Sequence, residues 1–257
     1  MYHSFLVPLV IFIFGACIGS FLNVCIYRLP LKKSIVFPGS ACPKCGHKLS
    51  CFENIPIISY LFLKGRCSKC KTKISFIYPL VEILTALFAL FLWIKFGLTI
   101  SFFIYFIFVC ALIVITFIDI NYRIIPDVIS LPGIVFGFIS SFFLPNISWL
   151  DSLLGILLGG GILYIVTWGY YLATKKIGMG GGDIKLLAMI GSFLGWESIP
   201  FVIFISSLTG SLVGITYILI KKRGKNYKIP FGPFLAFGAL VHLFFSDEIL
   251  TIYYKLF

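Results

Sequence analysis

Long apolar runs, separated by short polar segments, dominate this chain of 257 residues. Several runs approach or exceed the ~18 nearly uncharged residues that mark a transmembrane helix. The alternating ten-residue pattern of a membrane β-barrel does not appear. The pattern therefore predicts an all-α polytopic membrane protein with about eight transmembrane helices. We place these helices at about residues 5–27, 78–96, 100–119, 127–144, 152–173, 184–195, 199–220 and 229–245.

The composition agrees with this pattern. Hydrophobic residues make up 60% of the chain and charged residues 12%, against roughly 45–50% and roughly 25% in soluble domains. The net charge of +12 would on its own suit a nucleic-acid-binding protein. The distribution argues against that partner, because 19 of the 21 lysines and arginines fall on one side of the predicted helices. These basic residues lie in loops 28–77, 120–126, 174–185 and 221–228.

The charge asymmetry also predicts an orientation in the membrane. Basic loops face the cytoplasm, so we expect these four loops inside the cell and both termini outside. Basic residues near the membrane surface attract anionic lipid headgroups by about 1 kcal/mol each. We therefore expect membrane lipids, and not nucleic acid, among the partners.

The loop 28–77, between the first two predicted helices, contains four cysteines in two pairs. Cys42, Cys45, Cys67 and Cys70 follow the pattern C-x2-C-x21-C-x2-C. Each pair forms a tight knuckle, and two knuckles make the tetrahedral S4 site that suits Zn²⁺. Two disulfides are the alternative, but they are rare in a reducing cytosol. We predict a structural zinc that stabilises a loop too small for a core of its own.

Four of the nine acidic residues lie in or beside apolar segments, where a carboxylate is costly. Asp119 ends the third predicted helix, where the helix dipole disfavours an anion. An i,i+4 pair with Arg123 is the one structural role that the sequence offers it. We therefore favour a functional role for Asp119.

Asp183 follows Gly180, Gly181 and Gly182 at the start of the sixth predicted helix. One reading is an N-terminal cap. A single turn residue would suffice for a cap, and three glycines instead suggest that another backbone passes close by. If Asp183 adjoins Asp119, the two carboxylates can share one proton, and the pair could activate water and polarise a peptide carbonyl.

Three further ionisable residues have open roles. Asp127 follows Pro126, so a helix-start signal is as good a reading as a functional one. Glu82 lies one turn into the second predicted helix and could snorkel to the interface or pair with a loop lysine. Lys185 could contact a lipid phosphate or a substrate.

These features resemble the prepilin peptidases, or type IV leader peptidases, which are intramembrane aspartic proteases with a G-x-G-D motif. The resemblance covers about residues 11–240 and includes the two cysteine pairs. The matching blocks are "GACIGSFLNVCIYRLP" at 15–30, "NIPIISY" at 54–60, "GRCSKC" at 65–70, "YPLVEILT" at 78–85, "FIDINYRIIPD" at 117–127, "GMGGGDIKLLAMIGSFLG" at 178–195 and "IPFGPFLAFG" at 229–238.

The resemblance implies that Asp119 and Asp183 are the catalytic pair and that Gly180 and Gly182 belong to the G-x-G-D motif. It implies an enzyme of the bacterial cytoplasmic membrane that acts on prepilins or pseudopilins. Such an enzyme removes a short basic leader after a glycine at the cytoplasmic face. Asp127 and Lys185 are expected to support the motif.

Many members of that family then methylate the new amino terminus with S-adenosylmethionine. The family associates this activity with the amino-proximal region, so we divide the chain into a methyltransferase-associated part, 1–96, and a peptidase part, 97–257. No soluble methyltransferase motif is visible. Candidate residues for the methyl-donor region are Arg28, Glu53, Arg66, Lys73 and Glu82.

Three other classes of protein compete with this interpretation. A proton-coupled transporter would carry its carboxylates near the midplane and show a repeat of its halves, and neither is visible. A presenilin-like protease would have a tyrosine before its first catalytic aspartate, but Ile118 precedes Asp119. A non-enzymatic zinc-loop scaffold would not depend on the aspartates.

Overall fold

The structure, a computed structural model, describes residues 3–176, 180–221 and 230–256. The described residues are helical apart from connecting segments, so the all-α class is confirmed. Of the predicted basic loop 221–228, only Lys221 is among the described residues. The helices are α1 (His3–Arg28), α2 (Ile58–Phe62), α3 (Ile77–Phe96), α4 (Ile100–Tyr122), α5 (Asp127–Ser140), α6 (Trp149–Thr174), α7 (Gly181–Leu194), α8 (Ser198–Lys221) and α9 (Gly232–Leu256).

Each of the eight predicted apolar segments forms a helix, and α2 is a short additional one. Among the described residues, five helices are long and apolar enough to cross a membrane. The apolar helices at 127–140 and 232–246 are shorter. Helix α7 has 14 residues, or about 21 Å at 1.5 Å per residue, against a hydrocarbon core of about 30 Å. The five spans are Leu6–Arg28, Ile77–Phe96, Ile100–Tyr122, Trp149–Thr174 and Ser198–Tyr217.

The chain divides into two compact units, residues 1–114 and 115–257, with the division inside α4. In the first unit, α1 and α3 pack antiparallel at close range. A Cβ atom on Gly19 would lie 2.7 Å from the Cα of Glu82. One turn further along α1, the side-chain amide of Asn23 donates a hydrogen bond to the Tyr78 carbonyl at 3.0 Å. The small residue lets the two backbones approach, as is common between membrane helices.

The core of the second unit surrounds α7. All nine residues from Leu186 to Leu194 are buried, because α5, α6 and α9 pack around this helix. Gly155 and Gly191 meet where α6 and α7 cross, and a Cβ on either would collide with the backbone of the other. The short helix α7 is thus held on all sides, which fixes the position of its first turn.

Candidate active site and metal centre

Asp119 lies in the last turn of α4 and is 5% exposed. Its Oδ2 atom accepts a hydrogen bond from the backbone N–H of Gly232 at 2.9 Å. Gly232 is the first residue of α9, and the first N–H groups of a helix have no partner within the helix. The Asp119 side chain at the end of α4 therefore gives the first N–H of α9 a hydrogen-bond acceptor. The two residues are 113 positions apart in the sequence.

Asp183 lies in the first turn of α7 and is half-buried. Its backbone N–H donates to the carbonyl of Gly180 at 3.2 Å. Its carboxylate lies close enough to that of Asp119 for the two groups to interact electrostatically. The structure thus brings together the two aspartates that the sequence singles out, 64 residues apart.

Ile125, in the segment between α4 and α5, packs beside two glycines that adjoin the aspartates. A Cβ on Gly182 would lie 2.9 Å from the Cβ of Ile125, and a Cβ on Gly232 would lie 3.3 Å from its Cδ1. The same Cβ on Gly232 would lie 2.7 Å from Oδ2 of Asp119. Sequence reasoning missed Ile125 and Gly232, although they fall inside the matching blocks "FIDINYRIIPD" and "IPFGPFLAFG".

The three glycines before Asp183 differ in their surroundings. None has positive φ, so special backbone angles do not explain them. Gly182 is crowded by Ile125, whereas a Cβ on Gly181 would meet no atom within 4 Å. At Gly180 the nearest atom, Oδ2 of Asp183, would be at an ordinary 3.7 Å. Of these three glycines, only Gly182 lies where a side chain would clash with the described residues.

Asp127 and Lys185 form an ion pair beside this site. The Lys185 ammonium lies 2.8 Å from both carboxylate oxygens of Asp127. Asp127 opens α5, and Lys185 lies two residues after Asp183 in α7. Both side chains are partly exposed, so the pair contributes at most about 1 kcal/mol of stability. The pair joins the first turns of α5 and α7 and so helps to position the segment that carries Asp183.

The arrangement matches the requirements of acid–base hydrolysis. Two adjacent carboxyl groups can hold one proton between them, which leaves one group as a base and the other as an acid. A water molecule between them could be deprotonated while a peptide carbonyl is polarised. His47 pairs with the Glu53 carboxylate and not with a serine or cysteine nucleophile.

The four cysteines of the loop 28–77 form the second cluster. Their sulfur atoms all lie within 4.8 Å of one another. The Cys42 and Cys70 sulfurs are 3.8 Å apart, and those of Cys45 and Cys67 are 3.9 Å apart. A tetrahedral zinc with Zn–S bonds of about 2.3 Å requires sulfur separations of about 3.8 Å. These two separations match a tetrahedral zinc site, so the cluster could hold a zinc ion, and none of its cysteines is in a disulfide.

Local hydrogen bonds favour the thiolate form of two ligands. The Thr72 hydroxyl and backbone N–H lower the pKa of Cys70 to about 6. Backbone N–H groups of Cys45 and Lys44 lower the pKa of Cys42. Zinc binds thiolate and not thiol, so these donors prepare Cys42 and Cys70 for a metal. Desolvation and the neighbouring cysteine side chains instead raise the pKa of Cys45 to about 11.

The candidate methyl-donor residues belong to the first unit and have partners within the chain. Arg28 donates to the carbonyls of Ser34 and Pro38. Glu82 is 7% exposed and accepts a hydrogen bond from the Ile57 N–H at 2.7 Å. Arg66 and Lys73 pair through their backbones in an isolated β-bridge.

Glu53 contacts His47, which lies two residues after Cys45 of the first cysteine pair. Its carboxylate lies 3.2 Å from Nε2 of His47, which is outside the cysteine cluster, and accepts the Ser50 N–H at 2.8 Å. Hydrogen bonds from the Ser68 side chain and the Ser50 backbone lower the pKa of Glu53 to about 2. Glu53 is therefore ionised at neutral pH.

Comparison with protein families matches both units of the chain. The model described as "Bacterial Peptidase A24 N-terminal domain" matches residues 13–96, and that described as "Type IV leader peptidase family" matches residues 106–215. The first match contains all four clustered cysteines, and the second contains both aspartates. No solved structure matches this chain.

Individual relatives match over nearly the whole chain. The "Prepilin leader peptidase/N-methyltransferase" of Pseudomonas aeruginosa is 36% identical over 274 residues, covering 98% of this chain and 94% of that protein. Proteins of the same name from Aeromonas hydrophila and Bacillus subtilis are 35% and 36% identical. They cover 95% and 96% of this chain, and 92% and 98% of their own lengths.

Replacing Gly182 by alanine should impair peptidase activity while leaving the helical content unchanged. The new Cβ would displace Ile125 or the first turn of α7, because β-branched Ile125 cannot move its Cβ away without moving its backbone. Misplacing a catalytic group by about 1 Å can cost about a hundredfold in rate, so we expect a loss of about tenfold to a hundredfold. The matched control is Gly181→Ala, where the space is open and activity should stay within about twofold of wild type. Equal losses in both variants would contradict the packing role of Gly182.

Replacing Cys42 by serine, or treating the protein with a strong chelator, should remove zinc and loosen the loop 41–73. Structural zinc binds peptides with apparent free energies of about 10–16 kcal/mol, which the small loop cannot replace. Elemental analysis and the rate of limited proteolysis within the loop measure the two effects. Cys51→Ser is the control, because Cys51 is exposed and lies outside the cluster. Zinc-free protein with four freely alkylated thiols at these positions would refute the site.

Proposed function

The chain belongs to the type IV leader peptidase family, and on that premise we propose that it is an intramembrane aspartic endopeptidase. Its substrates are prepilins or pseudopilins, from which it removes the basic leader. The observation that carries the proposal is that Ile125 packs against both Gly232, which is hydrogen-bonded to Asp119, and Gly182, which precedes Asp183. The relatives' name, which states a peptidase and an N-methyltransferase, supports both the substrate class and the second activity.

The two aspartates take different roles because they lie at opposite kinds of helix end. Asp183 is in the first turn of α7, where the helix dipole favours an anion. Asp119 is in the last turn of α4, whose dipole disfavours one. The α9 amino terminus partly offsets this effect, but only at Oδ2 of Asp119. We assign the base to Asp183 and the acid to Asp119. The Gly232 N–H binds Oδ2 of Asp119, which leaves Oδ1 to carry the proton.

Hydrolysis then follows from these positions. Asp183 takes a proton from water as the water oxygen attacks the scissile carbonyl carbon, and Asp119 gives its proton to the carbonyl oxygen. The resulting tetrahedral diol collapses, the C–N bond breaks, and the leaving nitrogen receives the proton held by Asp183. Asp119 recovers its proton from the second hydroxyl, so the dyad returns to its starting state.

The location of the site suits a substrate with a basic leader and an apolar mature segment. We infer that the active site and the zinc loop face the cytoplasm of a bacterial cytoplasmic membrane, with both termini outside. The basic leader then stays in the cytoplasm, since positive residues resist translocation. Cleavage after a glycine at this membrane face leaves the apolar segment in the bilayer. All eight apolar helices are assigned to the membrane, with the shorter ones covered by their neighbours.

The second activity is assigned to residues 1–96 and the first to residues 97–257. S-adenosylmethionine would supply a methyl group for the amino terminus that cleavage creates. The candidate residues Arg28, Glu53, Arg66, Lys73 and Glu82 provide two carboxylates and three cations, which suit the amino-acid and ribose groups of that co-substrate. The zinc held by Cys42, Cys45, Cys67 and Cys70 is structural, since all four positions of a tetrahedral ion are filled by protein. The basic loops contact anionic lipid headgroups.

Asp119→Asn and Asp183→Asn should each abolish prepilin cleavage by the purified protein in detergent. Removing an acid–base group typically costs about 10²–10⁴ in rate, and the losses should not add in the double variant because the pair acts as a unit. Asp127→Asn should keep partial activity, since it removes only a partly exposed ion pair with Lys185.

Methylation of an already cleaved pilin with labelled S-adenosylmethionine is the control for folding. The Asn variants should retain this second activity, because it is assigned to the other unit. Full cleavage by either single Asn variant would refute the dyad.

A further inference from the structure

An uncharged segment interrupts the otherwise basic loop 28–77. The segment 54–63, "NIPIISYLFL", has no ionisable side chain except the Tyr60 phenol, while the loop as a whole carries ten lysines and arginines. Glu53 and Lys64 flank it on either side. A mostly apolar run of ten residues is too short to cross a bilayer, and runs of this kind form interfacial or re-entrant segments as well as buried core helices. The segment 54–63 includes helix α2.

A hydrogen bond ties this segment to the side of α3. The Ile57 N–H donates to Oε2 of Glu82 at 2.7 Å. Ile57 adopts φ of 64°, a region that β-branched residues rarely occupy. Such a conformation persists only where the surroundings hold it. The buried carboxylate of Glu82 is the group that holds it here.

The same hydrogen bond sets the depth of the segment. Helix α3 has 20 residues, or about 30 Å, and so needs its whole length to cross a hydrocarbon core of about 30 Å. Glu82 lies five residues beyond the start of α3, or about 7 Å deeper. Helical side chains point back toward the helix amino terminus, so the carboxylate meets Ile57 within the first two turns of the membrane span.

Helix α1 gives an independent estimate of this depth. Glu82 faces Gly19 across the antiparallel pair, and Gly19 lies nine residues before Arg28, where the α1 span ends. That separation corresponds to about 13 Å along α1. Both helices therefore place Ile57 below the level at which α1 and α3 leave the apolar layer.

Three apolar side chains of α2 project from the segment on one face. Ile58, Leu61 and Phe62 follow the spacing i, i+3, i+4 and are 50%, 68% and 83% exposed. Tyr60 turns toward the loop instead, with its ring 6.4 Å from that of Phe76 and its hydroxyl beside Gly65. The short helix thus has an apolar face that the first unit does not cover.

We propose that the segment 54–63 is a membrane-inserted anchor whose face of Ile58, Leu61 and Phe62 contacts the acyl chains just below the lipid headgroups. The depth set by Glu82 and the continuity with the α3 span favour lipid as the partner of this face, because acyl chains are the solvent at the depth of a membrane span. Lys64 and Arg66, which follow directly, are then placed at the level of anionic headgroups. The anchor holds the zinc-binding loop against the membrane surface and is independent of the peptidase assignment, but it shares Glu82 and Arg66 with the candidate methyl-donor residues.

Tryptophan quenching in lipid nanodiscs tests the anchor. Phe62→Trp adds one fluorophore to the four native tryptophans, and its signal is the difference from wild type. The added tryptophan should be quenched by lipids brominated near the top of the acyl chain. Its acrylamide quenching slope should be about threefold below that of a water-exposed tryptophan. Lys48→Trp is the matched control, because Lys48 is exposed in the same loop and its ammonium requires water.

Two outcomes would overturn the anchor. If the added indole of Phe62→Trp behaves like that of Lys48→Trp, with free access to acrylamide and no quenching by bromolipids, the face lies in water. If the added indole of Phe62→Trp is protected only when a prepilin is present, the face binds the substrate and not lipid.

Two substitutions of Glu82, each made in the Phe62→Trp variant, test whether Glu82 holds the segment in place. Glu82→Gln keeps an oxygen acceptor for the Ile57 N–H, so bromolipid quenching should be retained. Glu82→Met has similar size but no acceptor, so the added indole should become accessible to acrylamide. Elution of both variants as folded protein, with wild-type zinc content, excludes general misfolding. Equal quenching in the two variants would refute the pinning of the segment by Glu82.

Discussion

The hydrogen bond from the Gly232 N–H to Asp119 is the contact on which the geometry of the site depends. A carboxylate buried in apolar surroundings is costly unless a donor satisfies it, and the first N–H groups of a helix need an acceptor. The hydrogen bond between Asp119, at the end of α4, and Gly232, at the start of α9, supplies both the missing donor and the missing acceptor. A side chain at position 232 would occupy the place of the carboxylate oxygen. The contact therefore fixes both the identity of residue 232 and the orientation of Asp119.

Close packing around α7 brings the second carboxylate to the same place. The helix is too short to be positioned by the membrane alone, and contacts between glycines hold it against α6. The position of its first turn is then fixed by the packing of Ile125 against Gly182 and by the Asp127–Lys185 ion pair. Asp183 is thus positioned by the packing of a buried helix, although the G-x-G-D sequence on its own suggests a flexible loop.

Hydrophobic patterning predicted the eight apolar helices but not α2, and cysteine spacing predicted the clustered ligands. The eight apolar runs all form helices, because in lipid every backbone group must be satisfied within the chain. The paired spacing of Cys42, Cys45, Cys67 and Cys70 predicted a cluster, since each knuckle is a local structure. The sequence could not show that Lys185 pairs with Asp127 or that Gly232 binds Asp119. These contacts join residues 58 and 113 positions apart, and no local pattern encodes them. The hydrogen bond between Ile57 and Glu82 joins residues 25 positions apart, and no local pattern predicts it either.

The pH dependence of kcat/KM for prepilin cleavage tests the shared dyad most directly. A pair that works with one proton between its two carboxyls is inactive when both are ionised and when both are protonated. The purified protein should therefore show a bell-shaped profile with an acidic and an alkaline limb, and the helical content should be constant across it. A rate that rises with pH to a plateau, with no alkaline limb while the protein stays folded, would contradict the assignment of Asp119 as the acid and Asp183 as the base.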